Sequence, residues 1–262
     1  MQMLYADDTV LYLASKSTAD LQSKINADLR RICKWLQANQ LTLNVKKSKF
    51  LLIGSSSRLS KVGSILISAD DIPLDNVGSY TYLVIVINNR FSWTDHIDYI
   101  RGKISKKFGL LRHIKSCLPL NARIMFFNSF ILPLFDYGDI IWGNRGNGSL
   151  VSELQVLQNK AACLILDFPA HSSAADALTR LGWKPLLRRR KEHHAIFMCK
   201  LINNYFCHSI TVTFNGDFHS YYRRSRNDIR KSSATRRWGH WSAVNCSADK
   251  WNGLDTSLRN AE

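Results

Sequence analysis

The spacing of apolar residues along the chain changes from two to nearly four at Trp93, and the elements it predicts change with it. The opening runs Met3-Leu4-Tyr5 and Val10-Leu11-Tyr12-Leu13 enclose Ala6-Asp7-Asp8-Thr9, a pattern of strand, tight turn and strand. Ser17 and Asp20 have capping-box spacing, and Leu21, Ile25, Leu29, Ile32 and Leu36 follow at helical intervals. One amphipathic helix ending near Gln37 is therefore expected behind the strands, with Lys24, Arg30, Arg31 and Lys34 on its solvated face. Residues 50–53 and 64–68 read as strands joined by the Gly/Ser-rich stretch 54–60, and Tyr80 to Ile87 reads as another strand. Beyond Trp93, Ile97, Ile100, Ile104, Phe108 and Leu111 form one apolar helical stripe, leaving Arg101, Lys103, Lys106 and Lys107 mostly on the other flanks. Further helices are expected at 121–132, 149–166 and 185–206, separated by Pro133 and by the stretch from Gly143 to Gly148. The pattern predicts an α+β chain.

The chemistry begins at Asp7 and Asp8, two adjacent carboxylates at the tip of the first predicted hairpin. Hard Mg²⁺ prefers such oxygen ligands. Two divalent ions held roughly 4 Å apart can activate an attacking hydroxyl and steady a leaving pyrophosphate. The triplet recurs as Ala69-Asp70-Asp71 before Ile72-Pro73, where proline and polar surroundings predict a plain loop.

Tyr5-Ala6-Asp7-Asp8 followed by Thr9-Val10-Leu11-Tyr12 resembles the central catalytic motif of reverse transcriptases, in the form typical of non-LTR retrotransposons of the jockey type. Further segments resemble the same family in order. Leu41-Thr42-Leu43-Asn44-Val45-Lys46-Lys47-Ser48-Lys49 is similar to the next palm motif, and Tyr80-Thr81-Tyr82-Leu83-Val84-Ile85-Val86-Ile87 to the primer-grip strand. Phe91-Ser92-Trp93, His96-Ile97, Tyr137-Gly138, Ile141-Trp142-Gly143 and Leu154 to Ala161 are similar to the thumb region, and Trp251-Asn252-Gly253-Leu254 to its distal tryptophan motif.

The resemblance implies the C-terminal half of a reverse-transcriptase palm over residues 1–90, an all-helical thumb over 91–170 and a basic C-terminal region over 171–262. It implies that Asp7 and Asp8 are catalytic metal ligands for Mg²⁺ and that Lys47 lies near the incoming triphosphate, where an ammonium favours pyrophosphate departure. Tyr82, Leu83 and Val84 would form the primer grip, and Lys103, Lys106 and Lys107 would contact phosphates of an RNA template and DNA primer without reading bases. Two positions depart from the family pattern. Val84 stands where glycine is usual, and Asp255 follows Leu254 where proline is expected. Glycine lets a nucleic-acid backbone approach closely, so Val84 is expected to impair primer placement.

The family also needs a third metal-binding carboxylate from an earlier strand and fingers that close on the nucleotide, and neither fits ahead of Asp7. The expectation is a truncated retrotransposon reading frame, an RNA-directed DNA polymerase fragment that is inactive alone. The alternatives are a non-enzymatic nucleic-acid-binding module and a decayed relic.

Composition bears on partners. The 262 residues are 45% hydrophobic, enough for a core, and carry a net charge of +16. That surplus concentrates between residues 184 and 237, with 13 basic and 3 acidic residues, a field that attracts phosphate backbones or anionic membranes. Arg188-Arg189-Arg190-Lys191 resembles a nuclear-import signal, and together with Arg223, Arg224, Arg226, Arg230, Lys231, Arg236 and Arg237, interleaved with Tyr221, Tyr222 and Trp238, it suits single-stranded nucleic acid. Six cysteines without a Cys-x-x-Cys pair, and no secretory leader, predict reduced thiols in an intracellular protein of nucleus or cytoplasm. His193, His194, Cys199, Cys207 and His208 match no closed zinc spacing. No apolar run reaches the roughly 18 residues that span a bilayer.

Overall fold

The computed structural model describes residues 2–5, 8–143, 148–169, 172–206, 210–218, 227–233, 239 and 242–259. They are largely helical with small two-stranded sheets, compatible with an α+β chain. The chain divides into two compact units, Met1–Asp95 and His96–Glu262.

In the first unit, β1 (Gln2–Tyr5) and β2 (Asp8–Leu11) pair antiparallel, with Tyr5 opposite Asp8. Helix α1 (Thr18–Ala38) starts where the sequence predicts. Ser17 Oγ accepts from the Asp20 amide, but Asp20 does not complete a reciprocal box. Its carboxylate accepts from Ser15 Oγ at 2.8 Å and from Lys24, while the Ser17 amide donates to Ser15 Oγ at 3.2 Å.

The expected strands are much reduced. Residues 50–53 contribute only β3 (Lys49–Phe50), which pairs in parallel with β6 (Asp75–Asn76), and the Ser-rich stretch contains a short helix, α2 (Ser56–Leu59). Residues 64–67 form no strand, and side chains of α1 take the backbone groups of Leu66 at their centre. Gln22 Oε1 accepts from the Leu66 amide, Asn26 Nδ2 donates to the Leu66 carbonyl, and Asn26 Oδ1 accepts from the Ser68 amide. A backbone satisfied by a helix has no need of a partner strand. Cys33 on α1, Ile67 and Ala69 are buried.

Two further hairpins correct the sequence reading. Asp70-Asp71 is the two-residue turn between β4 (Ser68–Ala69) and β5 (Ile72–Pro73) rather than a plain loop, with φ of 48° and 61°. Aspartate tolerates this left-handed region through its short polar side chain. The segment Tyr80 to Ile87 is a hairpin, not one strand. β7 (Ser79–Tyr82) pairs antiparallel with β8 (Ile85–Asn88) across a Leu83-Val84 turn whose φ values are 45° and 66°.

The second unit is helical. Helix α3 (Thr94–Ile114), which begins at the unit boundary, buries Ile97, Ile100, Ile104, Phe108 and Leu111, the predicted stripe, together with His96. Removing each large apolar side chain from water contributes about 1.5–3 kcal/mol. Pro133 does not separate two helices. α4 (Leu120–Phe126), a π-helical turn (Phe127–Ile131) and α5 (Leu132–Asp136) run on without a break. Proline lacks the amide for an α-type bond and its ring crowds the preceding turn, so the wider π spacing just ahead of it accommodates both. The buried Phe127, Ile131 and Phe135 still share one face.

After α6 (Asp139–Trp142) come α7 (Gly148–Ile165), α8 (Ala174–Arg180), α9 (Leu186–Ile202), α10 (Ala243–Asn252) and α11 (Thr256–Arg259). Asp167, after α7, binds Lys115 and Arg123, and Trp183 stacks on Phe127 at 3.9 Å between centroids. Trp251 on α10 packs with Met198 and Leu201 of α9 and with Ile229, whose backbone is held by both ends of the Asn252 amide. Trp251 and Asn252 thus hold the α9–α10 pair to Ile229. No helix among the described residues is long and apolar enough to cross a membrane.

Candidate functional site

The hairpin β1–β2 presents Asp8 as the first residue of β2, exposed to solvent. Asp7 lies outside the described residues. Asp8 is a hard oxygen donor of the kind Mg²⁺ takes, and by itself it defines no coordination geometry. Lys47 is exposed in a turn, where its amide donates to the Asn44 carbonyl at 3.1 Å. Tyr82 and Leu83 are half-buried and Val84 is 50% exposed at the β7–β8 tip. These candidates belong to three separate parts of the Met1–Asp95 unit: the start of β2, the turn at Lys47, and the end of β7 with its turn.

In the helical unit, α3 presents Lys106 to solvent and holds Lys103 and Lys107 half-buried against aromatic rings. Lys103 Nζ is 4.4 Å from the Tyr99 ring centre and Lys107 Nζ is 5.4 Å from that of Phe130. Arg101 is engaged by Asp98 at 3.0 Å and Glu153 at 3.1 Å.

The three arginines expected to act as one basic patch separate in the structure. Arg188 remains exposed, with Nε 3.5 Å from Glu192 Oε1. Arg189 is paired with Asp136 through Nε at 3.2 Å and through Nη2. Arg190 is 2% exposed, its guanidinium 5.0 Å from the Trp142 ring, and so does not face solvent where a phosphate would approach. Consecutive residues on a helix point about 100° apart, which is why a run of three cannot share one surface. The aromatic and basic residues Tyr221, Tyr222, Arg223, Arg224, Arg226, Arg236, Arg237 and Trp238 lie outside the described residues. Arg230 stacks 3.8 Å from the Phe218 ring, and Lys231 pairs with Asp249.

Around Arg190 the structure assembles a polar cluster that the sequence reading did not find. Asp136, Asp139 and His193 bring one ligand atom each within 4.8 Å of one another. His193 Nδ1 is 2.7 Å from Asp139 Oδ2. Burial pushes the Asp139 carboxyl above the usual carboxylate range, against the lowering effect of His193 and Arg190. Burial likewise lowers the Arg190 pKa, partly offset by Asp139 and Asp136. A β-carbon on Gly143 would lie 2.5 Å from the Asp139 carbonyl and 3.0 Å from Arg190 Cδ, so only glycine fits beside this side chain. Asp136 is thus already paired with Arg189 and Asp139 with His193, and a divalent cation would meet the buried guanidinium of Arg190. The donor set does not fit a metal centre. It pins α5 and α6 to α9. Only part of this was available as spacing: Arg189 and His193 are four apart on one face of α9, while Asp136 and Asp139 belong to two helices parted by Tyr137 and the left-handed Gly138.

The cysteine and histidine grouping of the tail also resolves otherwise. His194 is buried with Nδ1 2.5 Å from Ser247 Oγ, and Cys199 is an exposed free thiol. Cys207 and His208 lie outside the described residues.

No family model matches the chain, and no solved structure matches it. Over 169 residues it is 25% identical to a probable RNA-directed DNA polymerase from transposon X-element of Drosophila melanogaster, and over 170 residues 25% identical to the corresponding protein from transposon BS of the same organism. Each match covers 63% of this chain, and the chain spans 18% of the length of each relative. The two similarities support a reverse-transcriptase-like relationship for the chain.

Proposed function

We propose that this chain is a section of a retrotransposon RNA-directed DNA polymerase of the non-LTR, jockey-like kind, in which residues 1–90 contribute part of the palm, 91–170 the thumb and 171–262 a basic C-terminal region. The observation that carries the reading is the ordered series of motif resemblances from Tyr5 to Leu254, supported by similarity to two transposon polymerases over 63% of the chain. The antiparallel pairing of Tyr5 with Asp8 suits this role, because it sets the Asp8 carboxylate at the end of a paired β platform. In this reading Asp7 and Asp8 hold Mg²⁺, Lys47 serves the leaving pyrophosphate, Tyr82 to Val84 meet the primer, and Lys103, Lys106 and Lys107 hold template and primer phosphates.

The test is extension of a primed RNA template with Mg²⁺ by the polypeptide that carries this chain in its natural reading frame. Asp8→Asn is expected to remove most extension, and turnover unchanged by that substitution would refute the metal-ligand assignment. The 262 residues by themselves, with two neighbouring carboxylates and 18% of the relatives' length, are expected to extend nothing. Extension by them that Asp7→Ala abolishes would overturn this.

The second reading, a nucleic-acid-binding module without catalysis, is favoured by the net charge of +16 and by the lysines of α3. It predicts salt-sensitive binding that Asp8→Asn leaves intact.

A further inference from the structure

Tyr99, Lys103 and Lys107 are spaced four apart on α3, and so form one row about 12 Å long on a single helical face. The row continues off the helix. Lys107 Nζ lies 5.4 Å from the ring centre of Phe130, and Phe130 lies 5.1 Å from Phe126 at an interplanar angle of 45°. Rings therefore stand at both ends of a pair of ammonium groups, and each ammonium rests over a ring. Phe130 is 52% exposed, although its helix offers a buried face used by Phe127, Ile131 and Phe135. It occupies the π-helical turn, whose wider winding sets it outside the buried face that Phe127 and Ile131 share. Asp98, beside Tyr99, is engaged by Arg101, so the nearest acid on the helix does not cancel the row's charge.

From this row we infer that Tyr99 and Phe130 are base-stacking platforms for a single-stranded stretch of nucleic acid, with Lys103 and Lys107 holding its phosphates. A single strand offers bases and phosphates in alternation, and stacking on aromatic side chains tolerates any base because each has a π-face. A duplex keeps its bases stacked inside and can meet only the lysines. The rings do not sense the sugar, so RNA and DNA strands bind alike. In the free protein each lysine covers the ring that a base will occupy, a cation–π contact of modest strength that a phosphate readily displaces. The inference rests on the nucleic-acid reading of α3 proposed above, and adds the occupant and the two rings.

The experiment measures anisotropy of labelled strands of about 12 nucleotides, a length within the site sizes of single-strand binders, with the full 262-residue chain. The strands are oligo-U, oligo-dT, an abasic strand with the same number of phosphates, and a duplex. Phe130→Leu and Tyr99→Leu, which keep apolar bulk and remove the ring, should each weaken both base-bearing strands by roughly tenfold, the low range of one stacked base. The abasic strand and the duplex should change by less than about twofold, and Phe130→Trp should retain the parent's affinity. Lys103→Ala with Lys107→Ala should weaken all four ligands. If the ring variants bind oligo-U and oligo-dT as the parent does while the lysine variant is weakened, stacking is overturned and the phosphate reading stands. If the lysine variant also binds as the parent does, both fall. If Phe130→Leu alters self-association and leaves strand binding unchanged, the ring faces a second copy of the chain and the inference is overturned.

Discussion

At the scale of single residues, Val84 carries a backbone cost of its own, apart from any role the resemblance implies. The resemblance places glycine there and suggests that a nucleic-acid backbone needs the room, whereas the structure gives Val84 a φ of 66° in a hairpin turn with Leu83 at 45°. Such two-residue turns favour Asn-Gly, and a β-branched residue in the left-handed region carries strain on the order of 1–3 kcal/mol. Val84→Gly should therefore stabilise the Met1–Asp95 unit by about 1 kcal/mol, read as a higher denaturant midpoint. An unchanged or lower midpoint would mean that the turn is not strained. The equivalent turn at Asp70-Asp71 uses residues that accept positive φ, and gains nothing comparable from glycine. The arginine run makes a parallel point, because sequence adjacency hid three different environments. Arg190→Ala should cost about 3 kcal/mol by leaving Asp139 buried with less compensating charge. Arg188→Ala should leave stability within about 0.5 kcal/mol, since its side chain is exposed.

At the scale of elements, helices with a full apolar stripe were legible and short strands were not. The stripe from Ile97 to Leu111 is buried as its period demands, because burial of one helix face is decided within the helix. Residues 64–67 have strand composition, yet both backbone groups of Leu66 go to Gln22 and Asn26 more than 35 positions upstream, which no local pattern records. Pro133 similarly reads as a stop, and only the π turn before it lets the helix continue. Two helices also carry an acid sensitivity that periodicity cannot reveal. Burial lowers the imidazole of His96 on α3 to a pKa of about 4, and burial lowers His194 on α9 to about 4 with help from Lys250, His193 and Arg190. Between the ordinary value of 6.5 and about 4, the folded chain binds fewer protons than the unfolded one at both sites. The stability they confer is full above pH 6.5 and is lost as pH falls toward 4, at up to about 1.4 kcal/mol per pH unit for each. Denaturant midpoints should drop between pH 7 and pH 4.5, and His194→Gln should remove about half of that slope. A midpoint independent of pH would show that neither imidazole is held neutral.

At the scale of the whole molecule, charge belongs to accessible groups rather than to totals. The C-terminal surplus suggested many phosphate contacts, but Arg189 is tied to Asp136, Arg190 is enclosed, and Lys231 is paired with Asp249. Binding to duplex DNA should follow a log-log salt slope near −0.9 per neutralised phosphate. Arg188→Ala should lower that slope as much as substituting all three arginines, once binding is compared under conditions where both variants are folded. A further fall in slope from the other two would place them in contact with phosphates. Two acids between apolar runs, as at Asp7 and Asp8, are the kind of signature a local pattern carries, while the Asp139–His193–Arg190 cluster unites positions more than 50 residues apart. The same distance matters for Trp251, whose side chain covers Met198 and Leu201. As the chain leaves the ribosome, α9 emerges complete at Ile202 while its cover is still 49 residues from emerging. At roughly 5–20 residues per second that is about 2–10 s with an apolar flank open to other molecules. The helical unit can thus be finished only once α10 has been made, and a translation interrupted before it would release a product already bearing the α3 lysines but unable to close its own core.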